Sequence, residues 1–184
     1  MDKIVDVRDG THDSPVQTAV GHPLITSKHL LPYSLNKDDA YFISEADFKK
    51  TNERSKVECG DILFSMIGTI GQISLITEKD IDFAIKNVGL FRTSQNPEIR
   101  YYILSYLKSS IVNNYIASFM LGSTQSYVSL NALRSIPLIL PDKNVLLDFE
   151  SKISPLYKRL IENEAECNKL SNLLSLVTAS ISSR

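Results

Sequence analysis

With 184 residues, 43% of them hydrophobic, the chain is long enough to bury a core without disulfide staples. Its net charge of −1 excludes the strongly basic composition of a protein that grips many phosphates, and its two cysteines, Cys59 and Cys167, match neither a disulfide framework nor a zinc spacing. No apolar run approaches the roughly 20 residues that span a bilayer, and Met-Asp-Lys-Ile carries no signal-peptide pattern, so a cytoplasmic protein with reduced thiols is expected.

Taken in chain order, the first half alternates short β-like runs with turn signals. Lys3–Val7 reads as a strand, and Asp9-Gly10-Thr11-His12-Asp13 as a turn held by side-chain hydrogen bonds. His12 and Asp13 could ligate a metal, but with no second His or Cys nearby the turn is the better reading. Ser44, with Asp47 three residues on, marks the start of a short helix. Lys49, Lys50, Arg54 and Lys56 then cluster within eight positions; they form either a solvated face or a basic patch. Strands are expected at Asp61–Ile67, Gln72–Ile76 and Phe83–Arg92. The two glycines of Gly68-Thr69-Ile70-Gly71 give a tight reversal between the first two.

Asn96-Pro97-Glu98 places a cap residue, a first-turn proline and an acid in the favoured order for a helix start. The apolar positions Ile99, Tyr102, Ile103, Tyr106, Val112, Tyr115, Ile116 and Phe119 carry one helix on to Gly122, followed by the loop Ser123-Thr124-Gln125-Ser126. A short segment leads to Pro137 and the apolar run Leu138–Leu140. Residues 1–143 therefore read as one α/β (α+β) domain with a mixed, strongly bent sheet.

After Pro141 the pattern changes. Phe149, Ile153, Leu156, Leu160, Asn163, Cys167, Leu170, Leu174, Val177 and Ile181 alternate steps of four and three, and all but Asn163 can pack as apolar groups. So narrow a stripe is a coiled-coil seam, on a helix that reaches nearly 60 Å at about 1.5 Å per residue and needs a partner helix. Pro155 is expected to kink or restart its first turns. Residues 144–184 form this second unit.

Catalytic sets are hard to assemble. Pro141-Asp142 with Glu150-Ser151-Lys152 imitates a metal-dependent nuclease, but Glu150 and Lys152 lie two apart on a helix and diverge by about 200°. Leu31-Pro32-Tyr33 lacks the residue that precedes proline in amino-methyltransferases. Gly68-Thr69-Ile70-Gly71 lacks the lysine of a phosphate cradle, and no Ser-His-Asp or Cys-His set emerges. The chain reads as a recognition protein, not an enzyme.

Three stretches together resemble the specificity subunits of type I restriction-modification systems. The first is Asp9-Gly10-Thr11-His12-Asp13-Ser14-Pro15 with Pro23-Leu24-Ile25-Thr26. The second is Gly60-Asp61-Ile62-Leu63-Phe64-Ser65 running into Gly68-Thr69-Ile70-Gly71. The third is Gly122-Ser123-Thr124-Gln125 with Leu130, Leu133, Ile136-Pro137 and Pro141. The resemblance implies a target-recognition domain joined to a spacer helix. Such subunits usually hold two modules in tandem with antiparallel helices, each domain reading half of a bipartite DNA site. Three departures stand out: one module, a start close to the Asp-Gly-Thr-His turn, and Asp142-Lys143-Asn144-Val145 in place of the usual Glu-Gln-containing lead into the helix.

The implied partners are double-stranded DNA, a methyltransferase subunit, optionally a motor-nuclease restriction subunit, and a second copy of the chain joined through antiparallel C-terminal helices. The implied cofactors, S-adenosylmethionine, ATP and magnesium, would belong to the partners; none, and no metal, is expected here. Family motifs are expected to hold the fold while variable loops touch DNA. Candidates are Lys28, His29, Tyr33, Lys49, Lys50, Arg54 and Lys56, then Lys86, Asn87 and Arg92, with Gln125 and Arg134 weaker. Arg and Lys suit guanine edges and phosphate, Asn and Gln suit adenine. The alternative from another class is an assembly or regulatory protein, a decoy that occupies the methyltransferase through its coiled coil without reading DNA.

Overall fold

The structure, a computed structural model, describes residues 1–121 and 127–182. Its centre is a four-stranded antiparallel sheet in the order β1 (Val7–Asp9), β7 (Val88–Phe91), β4 (Ile62–Ser65), β5 (Ile73–Leu75). Alternation along these strands feeds two cores. Ile62, Phe64 and Phe91 face a large cluster built with the helices, while Leu63, Val88 and Leu90 face a second one with Ile25, Leu30, Phe83 and Ile85. Burial on both faces explains why these strands read as nearly continuous apolar runs.

A smaller sheet, β3 (Phe42–Ile43), β2 (His22–Ile25), β6 (Ala84–Ile85), pairs β2 antiparallel to β3 and parallel to β6. The expected bent mixed sheet is thus two sheets, linked because residues 84–91 serve both. The expected single strand Phe83–Arg92 is broken at Lys86-Asn87, where Asn87 adopts φ 53°. The first strand also lies later than expected, at Val7–Asp9, because Asp2–Ile4 form a turn in which the Ile4 N–H donates to the Met1 carbonyl at 2.9 Å.

Helix α1 (Glu45–Ser55) begins where the cap residues place it: Ser44 Oγ accepts from the Asp47 N–H at 3.1 Å. The helix expected from Asn96 starts as a 3-10 turn at Pro97–Ile99. It then divides into α2 (Arg100–Leu107) and α3 (Ser110–Leu121). Ser109 restarts the chain by accepting from the Val112 N–H at 3.5 Å. Gly122 and the loop after it, including Gln125, lie outside the described residues. Short α4 (Leu130–Arg134) seats Leu133 against Gly89, where a β-carbon would collide with the leucine side chain.

Helix α5 (Lys143–Ser182) is 40 residues long and runs unbroken through Pro155; of the expected kink or restart, the restart does not occur. Its first half docks on the domain through Leu146, Ile153, Tyr157 and Ile161, with Tyr157 stacked on Tyr101 at 4.9 Å. Glu164 and Asn168 fix the far end of this contact: Glu164 accepts from the Tyr33 N–H at 3.0 Å and Ser34 Oγ at 2.7 Å, and the Asn168 amide donates to Ser34 Oγ at 3.4 Å. Every residue from 169 to 182 is exposed. No helix among the described residues is long and apolar enough to cross a membrane.

Candidate functional site

The Asp-Gly-Thr-His turn leaves β1 at the point where residues 84–91 change sheets. Gly10 makes that crossing possible, since a β-carbon there would meet the Ile85 carbonyl; its N–H donates to Val88 at 2.9 Å and that of Thr11 to Ile85 at 3.0 Å. Asp9 is 2% exposed, and its carboxylate binds both the Arg54 guanidinium and His12 Nε2, the latter at 2.9 Å. His12 Nδ1 lies 2.8 Å from Asn87 Oδ1. A polar chain therefore runs Arg54–Asp9–His12–Asn87 across the seam between the two sheets. Thr11 Oγ1 accepts from the Asp13 N–H at 3.1 Å, so side-chain hydrogen bonds hold the turn, as its residues suggest.

Two clefts open on either side of His12. One, of about 480 Å³, is lined by Asp9, Met66, Ile67, Asn87, Tyr127 and Asn131. The other, of about 530 Å³, is lined by Ser14, Val16, Asp47, Lys50 and Arg54. Lys50 lies 3.6 Å from Asp13, and Lys86 Nζ donates to Ser14 Oγ at 2.7 Å. Of the nominated residues the fold thus gathers Lys50, Arg54, Lys86 and Asn87 around one turn.

The other nominees are dispersed. His29 is 1% exposed, and its Nδ1 accepts from the Thr26 N–H at 2.8 Å; burial pushes its pKa below the ordinary value. Lys28 pairs with Asp39 at 2.7 Å, Lys49 with Glu45 at 3.0 Å and Lys56 with Glu58 at 3.9 Å. Tyr33 lies at the α5 junction, its ring under Lys108 and edge-on to Tyr157. Arg92 is held by Asp6 at 3.3 Å, and Arg134 donates to the Val7 carbonyl at 3.0 Å. Both serve the fold. His12, Ile67, Tyr127 and Asn131 are not among the residues expected to contact DNA. Only the fold brings these distant segments to one cleft, and the histidine is the one with a signal, its place in the Asp-Gly-Thr-His turn.

Two acids of the sequence motifs, Asp61 of the Gly-Asp-Ile-Leu stretch and Glu150 of the nuclease-like set, are held by backbone N–H groups. Asp61 is buried, accepting from the N–H groups of Glu58 at 2.8 Å and Ser94 at 3.0 Å; burial raises its pKa. Glu150 accepts from the N–H groups of Tyr101 and Tyr102 at 2.9 and 3.1 Å, whereas Lys152 turns to Asp148 at 2.7 Å, so the two diverge. Among the described residues no three His, Cys, Asp or Glu side chains gather as a metal site.

On α5 the seam positions part company with the docked face. Phe149 meets Tyr102 edge-on at 5.9 Å and Ile153 packs on the domain core. Leu156, Leu160, Leu170, Leu174, Val177 and Ile181 are exposed, as are Asn163 and Cys167. At about 100° per residue this exposed stripe lies about 90° around the helix from the docked one.

A family model for the type I restriction modification DNA specificity domain matches residues 23–170, which includes α5 as far as Leu170. A solved structure, from work on complex assembly and conformational transition of the type I R-M system, is similar in fold. Its TM-score is 0.52 at 15% sequence identity, over 90% of this chain. The chain spans 40% of the length of the chain it matches there. No curated protein matches it.

Proposed function

We propose, from the premise that this chain belongs to the type I restriction modification DNA specificity domain family, that it is the sequence-reading subunit of such a system and works as a pair. Residues 1–143 act as the recognition module and residues 144–184 as the spacer and pairing helix. Two copies join through antiparallel α5 helices, and each domain reads one half of an interrupted palindrome. The pair directs a methyltransferase subunit, and a restriction subunit where one joins, to that site in the cytoplasm. Catalysis, S-adenosylmethionine, ATP and magnesium belong to those partners. DNA contact centres on Lys50, Arg54, Lys86 and Asn87.

The exposed stripe of α5 carries this reading. It is apolar at six positions, and it lies beside the face that is already docked on the domain, so the domain leaves it uncovered. Antiparallel pairing sets Leu156 against Leu174, Leu160 against Leu170 and Asn163 against Cys167. Phe149 and Ile153 contribute only the surface their own domain leaves uncovered.

Sedimentation of the purified chain tests the arrangement. A dimer is expected, and Leu160→Glu with Leu170→Glu should give folded monomers, since each charge would be buried in the seam. Parallel helices seen by inter-chain crosslinking would overturn it. The pairing of most nominated cations with carboxylates favours a second reading, a partner of the methyltransferase that does not read DNA. Capture of methyltransferase subunit without any DNA shift by the complex would select it.

A further inference from the structure

The cleft on the Asn131 side of His12 has features the fold does not require. Ile67 and Tyr127 are 41% and 42% exposed on facing segments joined by an isolated antiparallel bridge. Neither contributes to a core, so two large apolar side chains rim a concavity into which Asp9, His12, Asn87 and Asn131 bring polar groups. Asn131 is exposed on α4, and its amide makes no side-chain hydrogen bond among the described residues. Asn87, also lining the cleft, brings a second side-chain amide there, its Oδ1 2.8 Å from His12 Nδ1. Asp9 is the one carboxylate among the described lining residues; the Arg54 guanidinium balances its charge and His12 Nε2 lies 2.9 Å from it. The wall beyond His12 carries Lys50 and Arg54.

We infer that this cleft receives a base edge of duplex DNA, with Asn131 and Asn87 as the reading amides, His12 between them, and Ile67 and Tyr127 as the apolar contact. An asparagine amide matches the N6 and N7 groups of adenine, and an apolar rim matches the thymine methyl group, so an A·T pair is the base pair this set recognises. The cationic wall across His12 would meet phosphate, which positions without specifying. The inference rests on the DNA-reading role proposed above and assigns its specificity to residues outside the basic cluster.

Selection of the purified chain, at low salt, from a pool of DNA duplexes with a randomised centre tests it. The wild type is expected to enrich a motif containing an A·T pair. Asn131→Ala should flatten that position by about tenfold in preference. His12→Ala should flatten the same or the adjacent position, and both variants should lose more affinity for the selected motif than for the unselected pool. Asn131 is exposed, so its variant should keep the wild-type melting temperature. A motif that survives both substitutions unchanged would overturn the assignment and leave the DNA-reading role standing. So would a uniform loss on every sequence, which marks phosphate contact. Failure of the wild type to enrich any motif would overturn the DNA-reading role and this inference together.

Discussion

His29 and Asn87 stand for two fates of a polar side chain that sequence proximity cannot separate. His29 sits beside Lys28 in the chain, yet the 3-10 turn at Ser27–His29 rotates it inward, where Thr26 donates to it and burial depresses its pKa. Its neutral form is the one the fold holds. The stability this contributes is complete above about pH 6.5, the ordinary histidine value, and is lost from there down to the lowered folded value. As pH drops below about 6.5, wild-type melting temperature should therefore fall more steeply than that of His29→Gln, whose side chain can still accept from Thr26 but cannot ionise. Equal slopes in the two proteins would mean that another group controls acid sensitivity. Asn87 follows a lysine in a run that reads as strand, and nothing local marks it as the break. Its left-handed φ arises because Thr11 and Ile25 compete for the same stretch, the Lys86 N–H going to one sheet while the Asn87 N–H goes to the turn. Long-range pairing is invisible to a pattern read along the chain.

Elements with a chemical start signal were legible. Ser44 and Asp47 located α1, and alternating three- and four-residue steps located α5. The division between α2 and α3 had a signal as well: Lys108-Ser109-Ser110 interrupts the apolar run, and Ser109 supplies a cap there. A strong proline-and-acid start at Pro97 outweighed it. On α5 the stripe left exposed was visible but the docked one was not. Tyr157 and Ile161 are apolar next to Glu150 and Glu164, and mixed composition hides a face whose acids accept hydrogen bonds from the domain. The two stripes should respond differently to substitution. Tyr157→Ala removes a ring stacked on Tyr101 and should lower the unfolding free energy by about 3 kcal/mol, seen as an earlier denaturant midpoint. Leu174→Ala should leave the domain's own unfolding within about 0.5 kcal/mol and act on association instead.

Across the whole molecule, a net charge of −1 is reached with most nominated cations already facing a carboxylate. Those pairs are exposed, so phosphates can replace the carboxylates at small cost, except at Arg54, whose partner Asp9 is buried. Neutralising Lys49 and Lys50 together, and leaving Arg54 in place, should weaken binding to every duplex alike and reduce the slope of log affinity against log salt by about two. An unchanged slope would make both lysines plain surface. The last feature of consequence is that α5 leaves its domain after Asn168. A free stretch of that length is marginally helical in water, because the nucleation cost of a helix is recovered only over more turns or by packing. Amide hydrogen exchange along α5 should therefore form a gradient in the dissociated chain, slow around Tyr157 and fast beyond Leu170. Association would erase that gradient, so the tail of one helix would keep a record, amide by amide, of whether its opposite number is present.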